Sequence, residues 1–221
     1  MRKITALLLT LVLGLGIVFL NPSSSSAAEN KIVQSGKIDL SNLTELKNSE
    51  GVTIKEVTYE EMIDAISITD GITKEKAREL HPKKMEISYS TKTMAVAALP
   101  VIHEILIRQT VTSTYHPAVQ VFVYTTGSGS FYNFTGIEQV GLNRKDISTT
   151  TSKQFSGTVR AVLQNSISFW WFIDGDFYNN GTTSGSFSAE ANGGIWKGTA
   201  SITQTSNHYK YWNKSGTYSI Y

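Results

Sequence analysis

One run restricts the fold of this chain more than any other: Ile167-Ser168-Phe169-Trp170-Trp171-Phe172-Ile173, followed by Asp174-Gly175-Asp176. In extended backbone, successive side chains point to opposite faces. Ile167, Phe169, Trp171 and Ile173 then share one face, and Trp170 and Phe172 the other. A strand in two packed antiparallel sheets ordinarily buries one face and wets the other. Here both faces are apolar and largely aromatic, so the second face calls for cover. Three covers are available: a helix pair at 58–80, the apolar segment 94–102 (Met-Ala-Val-Ala-Ala-Leu-Pro-Val-Ile), or a second copy of the chain. The helices are the expected cover, because each is too short to persist alone in water.

The helix signals are local. Thr58 with Glu61 three residues on is a capping box, and Val57 with Met62 a hydrophobic staple. Met62, Ile63 and Ile66 form an apolar stripe at helical spacing. Asp70-Gly71 ends the run, Thr73 caps a second helix with Ile72 and Ala77 as its staple, and Pro82 stops it. Ahead of them, residues 29–57 read as a polar lead-in with a short strand at Val52-Thr53-Ile54. From Glu104 onward the pattern is β. Ile105, Ile107, Val111 and Tyr115 share a face, then Val119, Val121 and Val123, then Phe155, Val159, Ala161 and Leu163. Turns fall at Gly127-Ser128-Gly129-Ser130, at Asn165 and at Asn179-Asn180-Gly181, and residues 143–153 read as a loop. Further strands are expected at 185–190, 195–204, 209–212 and 216–221. The spacing predicts a mainly β fold, an antiparallel β-sandwich or flattened barrel with a short N-terminal α-helical pair.

The first residues fit a secretory signal: Arg2 and Lys3, an apolar core from Ala6 to Leu20, and small residues Ser26 and Ala28 before a cleavage site. The expected organisation is a signal peptide at 1–28, an N-terminal segment with the helix pair at 29–82, and the β-sandwich at 83–221. Removing Arg2 and Lys3 from the 20 basic residues leaves as many as the 18 acidic ones. That balance gives no electrostatic case for a nucleic-acid partner or an anionic membrane surface. There is no cysteine, so disulfides, thiol catalysis and cysteine metal sites are excluded. The expectation is a secreted, extracellular protein, and cysteine-free export fits a bacterial source.

Catalytic signatures fail one by one. His103-Glu104-Ile105-Leu106-Ile107 starts like a zinc-protease motif but ends in Ile and sits in extended sequence. No serine lies in a Gly-x-Ser-x-Gly elbow. A triad assembled across the fold stays open, with His81, His103, His116 and His208 available. Asp174 and Asp176, with Asn179 and Asn180 nearby, offer clustered oxygens that suit Ca²⁺. The competing reading is turn chemistry, since Asp-Gly and Asn-Gly are common tight turns. Aromatics crowd the last third, and Tyr178, Trp196, Tyr209, Tyr211 and Trp212 are the candidate binding residues, because aromatics serve as stacking platforms. Core packing competes with that role.

These observations favour a secreted, non-catalytic protein that binds an extracellular carbohydrate or protein. One alternative is a membrane-active or pore-forming protein, supported by the Ser/Thr-rich alternating strands and the apolar segment 94–102. Another is a hydrolase with a scattered site, which would join a carboxylate to His208 or His116.

Overall fold

A computed structural model describes residues 32–33, 36–38, 40, 46–47, 51–83, 100–128, 131–146, 149, 151–180, 183–184, 195–202 and 206–220. The signal-like segment 1–28, most of the apolar run 94–102 and the strand expected at 185–190 lie outside the described residues.

The elements in order are β1 (Ile32–Val33), β2 (Gly36–Ile38), β3 (Leu46–Lys47), β4 (Val52–Val57), α1 (Tyr59–Asp70), α2 (Lys74–Leu80), β5 (Val101–Arg108), β6 (Ala118–Thr126), β7 (Asn133–Asn143), β8 (Gln154–Asn165), β9 (Ser168–Asn180), β10 (Thr183–Ser184), β11 (Ile195–Ile202) and β12 (Ser206–Ile220). They form two sheets. One has the order β1-β12-β9-β8-β11-β10, with β2 also on β12, and the other β3-β4-β5-β6-β7. Four long strands dominate each sheet, and pairing is antiparallel apart from β1 and β2, which run parallel to β12. Both sheets are open, and the described strands close no barrel.

The sheets share one apolar core. Ile105, Val121 and Val140 from the five-stranded sheet join Phe169, Trp171 and Ile173 from the seven-stranded one. Rings meet edge to face across the interface, Phe134 on Phe169 at 5.6 Å and Tyr115 on Phe177 at 5.4 Å. Such pairs add to plain area burial. β4 pairs with β5 along its whole length, so residues 52–57 are part of the same sheet as β5–β7.

The helices form as their caps dictate. Thr58 Oγ1 accepts from Glu61 N while Glu61 Oε2 accepts from Thr58 N at 2.7 Å, and Gly71 closes α1 at φ 67°. Thr73 Oγ1 accepts from Lys76 N to start α2. Where the helices lie differs from expectation. Met62, Ile63, Ile66 and Ala77 bury against Ile102, Phe122 and Tyr124 on the outer face of the five-stranded sheet. Trp170 and Phe172, on the outer face of the other sheet, stay half-buried. Polar groups explain the choice of partner. Thr69 Oγ1 donates to Gln120 Oε1 at 2.8 Å, and Gln120 Nε2 donates to Glu104, whose second oxygen meets Lys55 Nζ at 2.9 Å. Gln139 Nε2 donates to Asp70 Oδ2 at 2.9 Å, and His81 Nδ1 lies 3.3 Å from Glu138 Oε1. Among the described residues the seven-stranded sheet has no such buried seam to offer a helix.

Two further readings change. Asp174-Gly175-Asp176 is neither a turn nor a loop, because β9 runs unbroken from Ser168 to Asn180. Its glycine answers a close approach. A Cβ on Gly175 would stand 2.7 Å from Phe155 Cζ and 2.4 Å from Ser156 O, and one on the facing Gly157 would meet the same ring at 2.7 Å. The Phe155 ring fills the space that two absent side chains leave on the inner face. The strands expected at 209–212 and 216–221 are one strand, β12, because Asn213, Lys214 and Ser215 keep pairing with β9.

Candidate functional site

The open face of the seven-stranded sheet is where aromatic and acidic candidates meet among the described residues. Register fixes its rows. Thr217, Trp170 and Val162 lie side by side on β12, β9 and β8; the next row is Ser215, Phe172 and Arg160, with Lys197 of β11 beyond. Then come Asn213, Asp174, Thr158 and Thr199, followed by Tyr211, Asp176 and Ser156. Alternate residues of β9 put Trp170, Phe172, Asp174, Asp176 and Tyr178 in a line, about 7 Å apart.

The line divides into an apolar and a polar half. Trp170 and Phe172 hold their rings nearly parallel, 11° apart in plane and 5.7 Å between centroids. In the polar half Asp174 Oδ1 accepts from Tyr211 OH at 2.7 Å and from Asn213 Nδ2 at 3.1 Å. Donating to Asp174 pushes the Tyr211 phenol above its ordinary pKa. His208 Nε2 lies 2.8 Å from Asp176 Oδ1, and its ring meets Tyr178 edge-on at 5.6 Å. The His208–Asp176 pair is exposed, at 54% and 38%. The face thus presents two large rings beside a water-accessible row of hydrogen-bonding groups whose geometry is held by contacts to one another.

The candidate residues separate across the sheet. Tyr178, Tyr211, Asp174 and Asp176 share the open face. Tyr209 and Trp212 do not. Tyr209 packs on the core, its OH 2.7 Å from Thr112 Oγ1, with Lys153 Nζ 4.1 Å above its ring. Trp212 also packs on the core, and its Nε1 donates to the buried Gln109 Oε1 at 3.2 Å. These two therefore serve the junction of the sheets. A register shift between His208 and Lys210, with Asn207 at φ 55°, accounts for the separation of Tyr209 from Tyr211. Trp196 takes the register position opposite Ala161, and its side chain lies outside the described residues. Sequence reading passed over Asn213 and Arg160 as site residues. The alternation from Tyr211 to Asn213 was the available signal for one, while Arg160 needed the β8–β9 register.

For metal, Asp174 and Asp176 supply carboxylates on one face, but among the described residues no group of three or more His, Asp or Glu side chains is placed to hold an ion. Three histidine–carboxylate pairs stand among the described residues, and His81–Glu138 is the buried one under the helices. Besides His208–Asp176, His116 Nδ1 lies 3.3 Å from Asp146 Oδ2, within ion-pair range but outside hydrogen-bond geometry, while its backbone N donates to the same oxygen at 2.5 Å. The His116–Asp146 pair holds a turn together. His103, the third candidate for base chemistry, is buried, with Thr125 Oγ1 3.0 Å from its Nδ1, and burial pushes its pKa down to about 4. A neutral imidazole packed in the core has no reach to a substrate.

Compared with family models, curated proteins and solved structures, the chain has no significant match. The functional reading rests on its own residues.

Proposed function

We propose that this chain is a secreted β-sandwich that binds a polysaccharide, without catalysis, on the open face of its seven-stranded sheet. The observation that carries the reading is the line along β9, where the paired rings of Trp170 and Phe172 stand next to Asp174, Tyr211, Asn213, Asp176 and His208. Sugars present apolar C–H faces and hydroxyl edges together, and an aromatic step beside carboxylates and amides matches both. A flat strand surface suits an extended chain molecule better than it suits a small compact ligand. Protein interfaces draw on the same aromatics, but their cores are depleted of charge, and here Arg160, Asp174 and Asp176 stand within the face.

The test is titration of a panel of soluble polysaccharides and solubilised cell-wall fragments, read by calorimetry. Trp170→Ala and Asp174→Ala should each abolish the heat of the glycan that binds, while Tyr209→Phe, on the inner side, should leave it intact. Binding that survives both open-face substitutions, or a panel with no binder, overturns the reading; the latter result would turn the search to protein ligands. Running the titration with and without Ca²⁺ decides the role of the two aspartates. Calcium-dependent binding would assign Asp174 and Asp176 to an ion shared with the sugar hydroxyls.

A further inference from the structure

We infer that one end of the molecule seats in the interface of a lipid bilayer, through Phe131 and Ile167 at the tips of two neighbouring hairpins. Phe131, between β6 and β7, is 82% exposed, and Ile167, between β8 and β9, is 47% exposed. The hairpins belong to different sheets yet lie against each other. Phe134 N donates to Ser166 O at 2.6 Å, and the Phe134 and Phe169 rings pack behind that bond. Both residues are tied through their backbones. Phe131 N donates to Ser128 O, and Gly127, at φ 110°, sits where a Cβ would meet Phe131 O at 2.0 Å. Ile167 N donates to Asn165 Oδ1 at 2.9 Å, and Ile167 O accepts from Ile220 N. The two exposed apolar side chains thus stand on adjoining, backbone-tied hairpins rather than scattered singly over the surface.

The composition around the tips selects the occupant. Residues 121–137 and 161–173 contain no Asp, Glu, Lys or Arg, so both hairpins lack charge down to the middle of their strands. Immediately behind the tips stand Tyr132 and Trp170, half-buried amphipathic rings of the kind enriched at headgroup depth. Glycine, serine and asparagine supply the rest of the loops. A protein partner for two separate convex points would need two matched pockets, whereas a bilayer interface accepts any convex apolar point followed by a polar, uncharged collar. The acidic start of α1, Glu60 and Glu61, lies on the helix-covered flank of the same end, because Val57 pairs with Ile102 and Ile102 with Tyr124. Glu60 there is paired with Arg78 at 2.7 Å, and the uncharged hairpins offer nothing to draw an anionic surface, so the lipid selected is zwitterionic.

The experiment uses the chain from Glu29, which keeps the compact unit Lys31–Tyr221 and omits the apolar N-terminal run that would insert by itself. Flotation with phosphatidylcholine vesicles should recover protein with the lipid. Phe131→Ser and Ile167→Ser should each lower the bound fraction by roughly ten-fold, the scale set by burying one such side chain. The double variant should stay unbound while remaining folded, its melting temperature lowered only slightly because Phe131 is exposed and Ile167 about half so. Phe131→Trp should restore binding and shift its emission to the blue on vesicle addition. Adding phosphatidylglycerol should not increase binding. A wild-type chain that stays with no vesicle, or a folded double variant that still floats, overturns the proposal. So does wild-type self-association that Phe131→Ser dissolves without lipid, which would make the tips a contact between copies.

Discussion

The outer faces of the two sheets have met opposite fates, and aromatic content did not decide between them. Phe122 and Tyr124 lie under the helices, while Trp170 and Phe172, equally large, remain half-open. What differs is the neighbourhood. Around Phe122 the polar residues are Gln120, Gln139 and Glu104, and each finds a partner when α1 closes over them or from a neighbouring strand. Around Phe172 they are Arg160, Asp174, Asp176 and Lys197, four ionisable groups on one sheet surface. Covering them with an apolar helix would strip their water without supplying counter-charges. A face is covered when its polar groups can be satisfied by what covers it.

The sharpest test of the contrast is truncation on each side. Phe122→Ala should cost about 3–5 kcal/mol, as for a large buried aromatic. Trp170→Ala should cost far less, about 1 kcal/mol, because half of its ring already faces water and little cavity forms. Urea denaturation of both variants gives the comparison directly. Equal losses would mean that the Trp170 face is covered after all.

The next largest effect is one of pH. Burial at the C-terminal end of α1 pushes the Asp70 carboxyl up to about 7 from 3.8, with Gln139 and Arg144 pulling the other way. A folded pKa above the unfolded one means that the stabilisation from this group is complete below about pH 4 and lost as pH rises through 7. The ceiling is roughly 4 kcal/mol, at about 1.4 kcal/mol per pKa unit. Asp70→Asn keeps the acceptor for Gln139 and removes the titration. The variant should be more stable than wild type at pH 8, with the gap closing towards pH 4. The difference between the two chains isolates Asp70 from His81 and Glu138, which face the same cover. A smaller effect belongs to the cap: Thr58→Ala should cost about 1 kcal/mol and raise hydrogen exchange in α1 before exchange in β9.

What the sequence made legible follows the reach of each interaction. The capping box at Thr58 and Glu61, the stop at Gly71 and the second cap at Thr73 act within a few residues, and all three stand in the structure. The aromatic strand was legible too, because two-residue alternation is local. The side the helices would choose was not, since the stripe of Met62, Ile63 and Ile66 fits any apolar surface and the deciding partners, Gln120 and Gln139, lie 50 or more residues away. Gly175 looked like half of a turn because the ring that needs its missing side chain, Phe155, sits on another strand. Tyr209 and Tyr211 looked equivalent because alternation carries no sign of the irregularity at His208.

The parallel pairing of β1 and β2 with β12 has a consequence for how the chain comes together in time. Ile32 sits opposite Lys214, about 180 positions later, and Gly36 opposite Tyr218. Bringing such ends together costs roughly 4–5 kcal/mol of loop entropy, on logarithmic scaling with length. Their meeting strand is also interior to the sheet, between β9 and the N-terminal pair. Ribosomes make chains from the N-terminus, so the first strands wait unpaired until nearly everything else has emerged. A growing chain of this sequence carries the Phe169–Trp171 strand before its β12 neighbour exists. Completion of β12 then fastens β1, β2 and β9 in one step.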